Sequence, residues 1–129
     1  MILLDTHALV WLALEPAKLS QAAREAIHES AWTGGLGISA ITLWEAAWLV
    51  TQRQVDFTGT PEAFLREISS RTAVFPITSQ IAILANQLPA TFPRDPSDRL
   101  IGATAISEGI ALVTKDRTIR NCNQIKTIW

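Results

Sequence analysis

Short apolar runs alternate along this chain with longer stretches in which apolar residues return every three or four positions. Ile2-Leu3-Leu4 has no polar alternation, the pattern of a strand covered on both faces in a parallel sheet. A helix over residues 8–14 follows, and Pro16 closes it. Ser20 caps a second helix through about Ser30, with Ala23, Ile27 and Ala31 on one side and Arg24, Glu25 and Glu29 on the other. After the Gly34-Gly35 turn, Leu36-Gly37-Ile38 reads as a second strand, and Ser39 opens a third helix carrying Ile41, Trp44, Glu45, Trp48 and Leu49. Thr60-Pro61 starts a helix through roughly Ser70, because proline suits a first turn that needs no N–H. Residues 73–77 read as a strand that Pro76 pushes toward a sheet edge or a strand end. Thr78 caps the next helix, which ends near Leu88-Pro89, and Asp95-Pro96 caps and opens another that Gly109 ends. Ile110 to Thr114 is the most strand-like segment, and Ile125 to Ile128 gives a last short strand. The alternation predicts an α/β fold: one domain over residues 1–129, with a mostly parallel central sheet of four to five strands flanked by helices.

Composition changes this picture in two places. A net charge of −1 withholds the usual electrostatic advertisement for nucleic acid, so such a partner has to be reached through a local patch or a bound cation. The lone Cys122 excludes an internal disulfide framework and fits a reducing compartment. No apolar run approaches the roughly 20 residues needed to span a bilayer, and the N-terminal run is interrupted by Asp5 and His7, without the flanks of a secretory signal. The expected location is the cytoplasm, away from membranes.

Four acids stand out by position. Asp5 and Asp116 each follow an apolar run, at the carboxyl end of a strand, where open parallel sheets place their ligands. Either one also serves as a helix cap. Asp98 falls at the third position of its helix, at the positive end of the dipole, and Asp95 and Arg99 can pair beside it, leaving Asp98 without a local cation. Glu45 lies on or beside the apolar stripe of its helix, with Arg53 the nearest cation in sequence, two turns away. A carboxylate so placed must be paired, protonated or metal-bound, or else reach out to water. If the four meet, their repulsion raises their pKa values and a hard divalent cation relieves it. Oxygen-only ligation points to Mg²⁺ or Mn²⁺ in preference to zinc, with His7 positional and not a ligand.

Leu-Leu-Asp-Thr-His-Ala-Leu-Val-Trp at 3–11, Glu45 after Ile-Ser-Ala-Ile-Thr-Leu-Trp, Asp-Pro-Ser-Asp-Arg-Leu-Ile at 95–101 and Leu-Val-Thr-Lys-Asp at 112–116 resemble the PIN-domain family. More narrowly, they resemble the VapC toxins of type II toxin–antitoxin systems. The resemblance implies an Mg²⁺- or Mn²⁺-dependent endoribonuclease whose acidic quartet, both catalytic and metal-binding, is Asp5, Glu45, Asp98 and Asp116. Thr6 and Thr114 take the hydroxyl positions beside the first and last acids. It also implies a homodimer and a VapB-type antitoxin. Arg94, Arg99, Arg117 and Arg120 are near in sequence and are candidate contacts for RNA phosphates, or equally solvated surface. Trp44 and Trp48, one turn apart, are expected in the core, with an interface as the other option. Trp11 is read the same way. Two rival readings are a non-catalytic binding module on a PIN scaffold and another Mg²⁺-dependent phosphoryl-transfer enzyme, for which Lys115 is the only candidate lysine.

Overall fold

The computed structural model describes all of residues 1–129. A five-stranded, wholly parallel sheet has the order β3-β2-β1-β4-β5. Its strands are β1 (Ile2–Leu4), β2 (Leu36–Ser39), β3 (Ala73–Phe75), β4 (Leu112–Val113) and β5 (Thr127–Ile128). The helices are α1 (Thr6–Leu14), α2 (Gln21–Thr33), α3 (Ala40–Thr51), α4 (Pro61–Arg71), α5 (Ser79–Gln87), α6 (Pro96–Glu108) and α7 (Arg117–Arg120).

Neighbouring strand residues serve opposite layers, which is why the strands are apolar throughout. Leu4 and Val113 face a core built with Ala8, Ile27, Ala46 and Phe64, whereas Leu3 and Leu112 face one built with Phe92, Ile101 and Ile119. β1 sits at the centre, registered Leu3 to Gly37 on β2 and Leu3 to Leu112 on β4. The chain fills one side of β1 first, with β2 and β3, and then crosses to the other side for β4 and β5. That reversal falls between β1 and β4, and the carboxyl ends of strands at such a point are where open parallel sheets place their ligands.

Where strands stop short of expectation, a competing backbone bond is responsible. Ile110 to Thr114 shrinks to Leu112–Val113, because the Ile110 N–H donates to Ala105 O at 3.1 Å in the cap that ends α6. Gly109 makes that cap possible, with φ of 64°. Thr114 still donates to Ile128 O at 3.2 Å. β3 ends at Phe75, before Pro76, and lies at the sheet edge as expected. Ile125 is held in a turn by its N–H to Cys122 O, so β5 begins only at Thr127. The short helix α7 was not expected from the pattern; Asp116 caps it.

The expected burial of Trp44 and Trp48 is overturned. They are 64% and 47% exposed, on the outer side of α3, while Thr42, Ala46 and Val50 form its buried side. Two tryptophans one turn apart look like a core stripe, but the stripe that packs is the small-residue one beside them. No helix is long and apolar enough to cross a membrane.

Candidate functional site

Two of the four acids follow strands and cap the next helix, and the other two come from α3 and α6. Asp5 leaves β1 and caps α1, accepting the Ala8 N–H at 2.7 Å through Oδ1, while its own N–H donates to Val113 O at 3.1 Å. Asp116 follows β4 and caps α7, its Oδ1 accepting from Thr118 N at 2.8 Å and Ile119 N at 3.1 Å. In both, one carboxylate oxygen holds backbone, and Oδ2 carries no such bond. The cap reading and the site reading of these aspartates are therefore compatible. Asp98 lies in the first turn of α6, whose cap is Asp95 through Ser97 N at 2.8 Å. Glu45 comes from the middle of α3, which packs against both α1 and α6.

The hydroxyls beside the acids have defined work. Thr6, buried, donates to Glu45 Oε1 at 2.6 Å and lies 3.4 Å from the hydroxyl of Thr42. Thr114, fully buried, accepts the Asp116 N–H at 3.1 Å, and hydrogen bonding from its side chain eases the charge on Asp5. Thr42 has no signal of its own in the sequence. It sits one turn before Glu45 on the same helix, which is the spacing that could have found it.

Asp98 lies within electrostatic reach of the other three acids, and Asp5 within reach of Asp116. Burial pushes the Asp98 carboxyl up to about 7, and repulsion from Asp95, Asp116, Glu45 and Asp5 adds to it. Burial also raises Asp5, with Asp116 adding repulsion, while Thr114, the Ala8 N–H and His7 act the other way. No cation pairs with any of the four: the ion pairs of the chain are Lys18–Glu15 and Arg71–Glu67, both elsewhere. The expected Asp95–Arg99 pair does not form. Arg99 instead donates to the carbonyls of Ala85 and Leu88 at 3.1 Å and of Pro89 at 3.2 Å, and its guanidinium lies 6.0 Å from the Phe92 ring centroid. Its donors are thus committed to the end of α5, while Arg94, Arg117 and Arg120 are exposed.

No three carboxylate, imidazole or thiolate groups stand close enough to enclose an ion directly. An ion at this edge would have to keep much of its own hydration shell. Mg²⁺ keeps several of its waters and takes only one or two carboxylates at a time, with substrate phosphate completing the shell. An all-oxygen donor set with carboxylate oxygens that the caps do not use, raised carboxyl pKa values at Asp5 and Asp98 and no competing cation fits such an ion. Lys115, which a phosphoryl-transfer enzyme of another type would aim at the acids, makes no ion pair with them. Its Nζ lies 5.7 Å from the centroid of Trp11.

Comparison with known proteins shows the family and the fold. Residues 2–123 match the PIN domain family. The chain is 38% identical over 130 residues, covering 99% of this chain and 98% of the relative, to Ribonuclease VapC22 of Mycobacterium tuberculosis. Among solved structures, DNA-bound VapBC from Salmonella typhimurium superposes with a TM-score of 0.73 at 25% identity, over 98% of this chain and 97% of that one. A toxin–antitoxin complex from Klebsiella pneumoniae gives a TM-score of 0.70 at 22% identity, over 97% and 95%, a likeness of fold.

Proposed function

Since the chain belongs to the PIN-domain family, as a ribonuclease of the VapC type, we propose that Asp5, Glu45, Asp98 and Asp116 form the centre at which it hydrolyses RNA. The observation that carries this reading is that two helices and two strand ends bring four carboxylates toward one edge of the sheet, where Asp98 is repelled by the other three and no cation relieves it. A protein gains nothing in stability from that arrangement; it makes sense as a seat for Mg²⁺ or Mn²⁺. Once bound, such an ion lowers the pKa of water and neutralises charge on a phosphodiester.

The chain's own residues supply the rest. Asp5, Asp98 and Asp116 would hold the ion, one or two of them directly and the rest through its waters, the first and last through oxygens their caps do not use. Glu45, steered by Thr6, orients the attacking water or adds a ligand. Thr114 keeps Asp5 and the Asp116 backbone in register across β1 and β4. Arg94 and Arg117, both exposed, are the cations we propose for contacts to neighbouring phosphates. The chemistry needs no 2′-hydroxyl nucleophile. The partner we propose is a VapB-type antitoxin, and we propose further that the chain pairs with a second copy of itself.

Asp98→Asn tests the centre. The variant keeps the volume and removes a charge that the metal-free fold dislikes, so it folds, and Mn²⁺-dependent cleavage of RNA falls at least about a hundredfold. Cleavage by the wild type that persists in excess EDTA, or an Asp98→Asn variant as active as the parent, removes the mechanism. A protein that binds no Mn²⁺ in calorimetric titration belongs instead to the binding-module reading.

A further inference from the structure

Beside the acidic centre, the first turns of α1 carry a cluster that the quartet does not use. His7 is exposed, two residues after Asp5, and its ring centroid lies 5.6 Å from that of Trp11 at a tilt of 52°. Trp129 also packs on Trp11, at 5.8 Å and 55°. Lys115, exposed and immediately before Asp116, has its ammonium 5.7 Å from the Trp11 centroid. Lys18 is also near, at 6.0 Å, but it is paired with Glu15. Lys115 has no such anion.

Packing alone accounts for part of this. Trp11 and Trp129 lean on the core formed by Leu4 and Ala8. It does not account for an exposed imidazole and an exposed, unpaired ammonium gathered on those rings, within two residues of two of the proposed metal-binding aspartates. Single-stranded nucleic acid is held by this combination: aromatic faces for bases and a cation for the phosphate between them. The location matters too. A chain of net charge −1 whose centre is acidic needs a positive foothold next to that centre if it is to hold a polyanion.

We propose that His7, Trp11 and Lys115 form the subsite for the nucleotide flanking the cleaved phosphate, its base lying on the His7–Trp11 rings and its phosphate on Lys115. The assignment rests on the ribonuclease reading and specifies where the strand leaves the metal centre. Trp11 positions the other two as much as it touches RNA, which is why the decisive variants are the exposed pair.

The test is fluorescence anisotropy of a labelled single-stranded RNA oligonucleotide in EDTA, where it is not cut, across a series of salt concentrations. His7→Ala and Lys115→Gln each weaken binding by about fivefold or more. Lys115→Gln also flattens the salt dependence by about one counterion. Lys115→Arg and His7→Phe restore affinity, which a merely structural role would not predict. Affinities equal to the wild type in both loss variants overturn the subsite and leave the nuclease reading intact, provided the wild type still cleaves in Mn²⁺. A wild type that does not cleave removes both.

Discussion

At the scale of single residues, the site is a set of side chains doing two jobs. Asp5 and Asp116 commit one oxygen to helix caps, and Thr6 sits in a helix start while its hydroxyl decides where Glu45 points. Asp98 is different, because its carboxyl is raised from 3.8 to about 7 and nothing in the fold compensates. A raised acid binds its proton more tightly folded than unfolded. Between the two values the native state therefore holds more protons than the unfolded chain, and stability falls as pH rises through that window. We expect the metal-free protein to melt higher at pH 5 than at pH 8. Added Mn²⁺ raises the midpoint at pH 8 and has little effect at pH 5, where protons compete for the same oxygens. Differential scanning calorimetry reads both, and a midpoint indifferent to pH with and without Mn²⁺ would contradict the repulsion. The positions of all four acids were legible in the sequence, since each stood after an apolar run or within a helix start or stripe. Their partners were not. Thr42 is one buried hydroxyl among several, and only the angle between α1 and α3 makes it a neighbour of Thr6.

Elements carry these residues, and α6 carries the most demanding one. Its first turn holds Asp98, and its neighbour Arg99 reaches back to three carbonyls where α5 ends. α5 has no glycine cap; Leu88 and Pro89 follow, so a guanidinium does the work that a Schellman turn does after α6. The helix also approaches its support closely. A Cβ at Gly102 would stand 2.7 Å from the tip of the buried Phe92 ring, so only glycine lets α6 lie there. Arg99→Met keeps the aliphatic stem and removes the donors. We expect it to cost about 1–3 kcal/mol, since half-covered carbonyls lose their partners, and to lower the thermal midpoint by several degrees. An unchanged midpoint in circular dichroism would mean that water replaces the guanidinium freely. Helix starts were the best-read elements, because Ser20, Ser39, Thr60, Thr78 and Asp95 all cap as their residue types suggest. Strand ends were read less well, because a backbone N–H claimed by a cap, as at Ile110, leaves no mark on the hydropathy pattern.

The whole molecule sets its acids at the sheet's reversal point and leaves a separate apolar face on α3. Trp44 and Trp48 are there, and both flank Glu45 in sequence while facing outward. Large exposed aromatic area on a small chain marks a protein interface, for tryptophan is the residue most enriched at binding hot spots. Sequence periodicity could show that the two residues share a face, but not whether that face is turned inward, since the choice depends on which stripe of α3 finds the sheet. Small Thr42 and Ala46 allow the closer approach and win the inside. A second copy of the chain is the occupant we expect. Sedimentation equilibrium should give twice the 14.2 kDa chain mass, and replacing both tryptophans by glutamate should return it to the single-chain value. The substitutions are on the exposed side of α3, so the folded signal in circular dichroism should persist. A dimer that survives both charges places the contact elsewhere and leaves the α3 face for the antitoxin. A monomeric wild type at micromolar concentration ends the homodimer expectation outright.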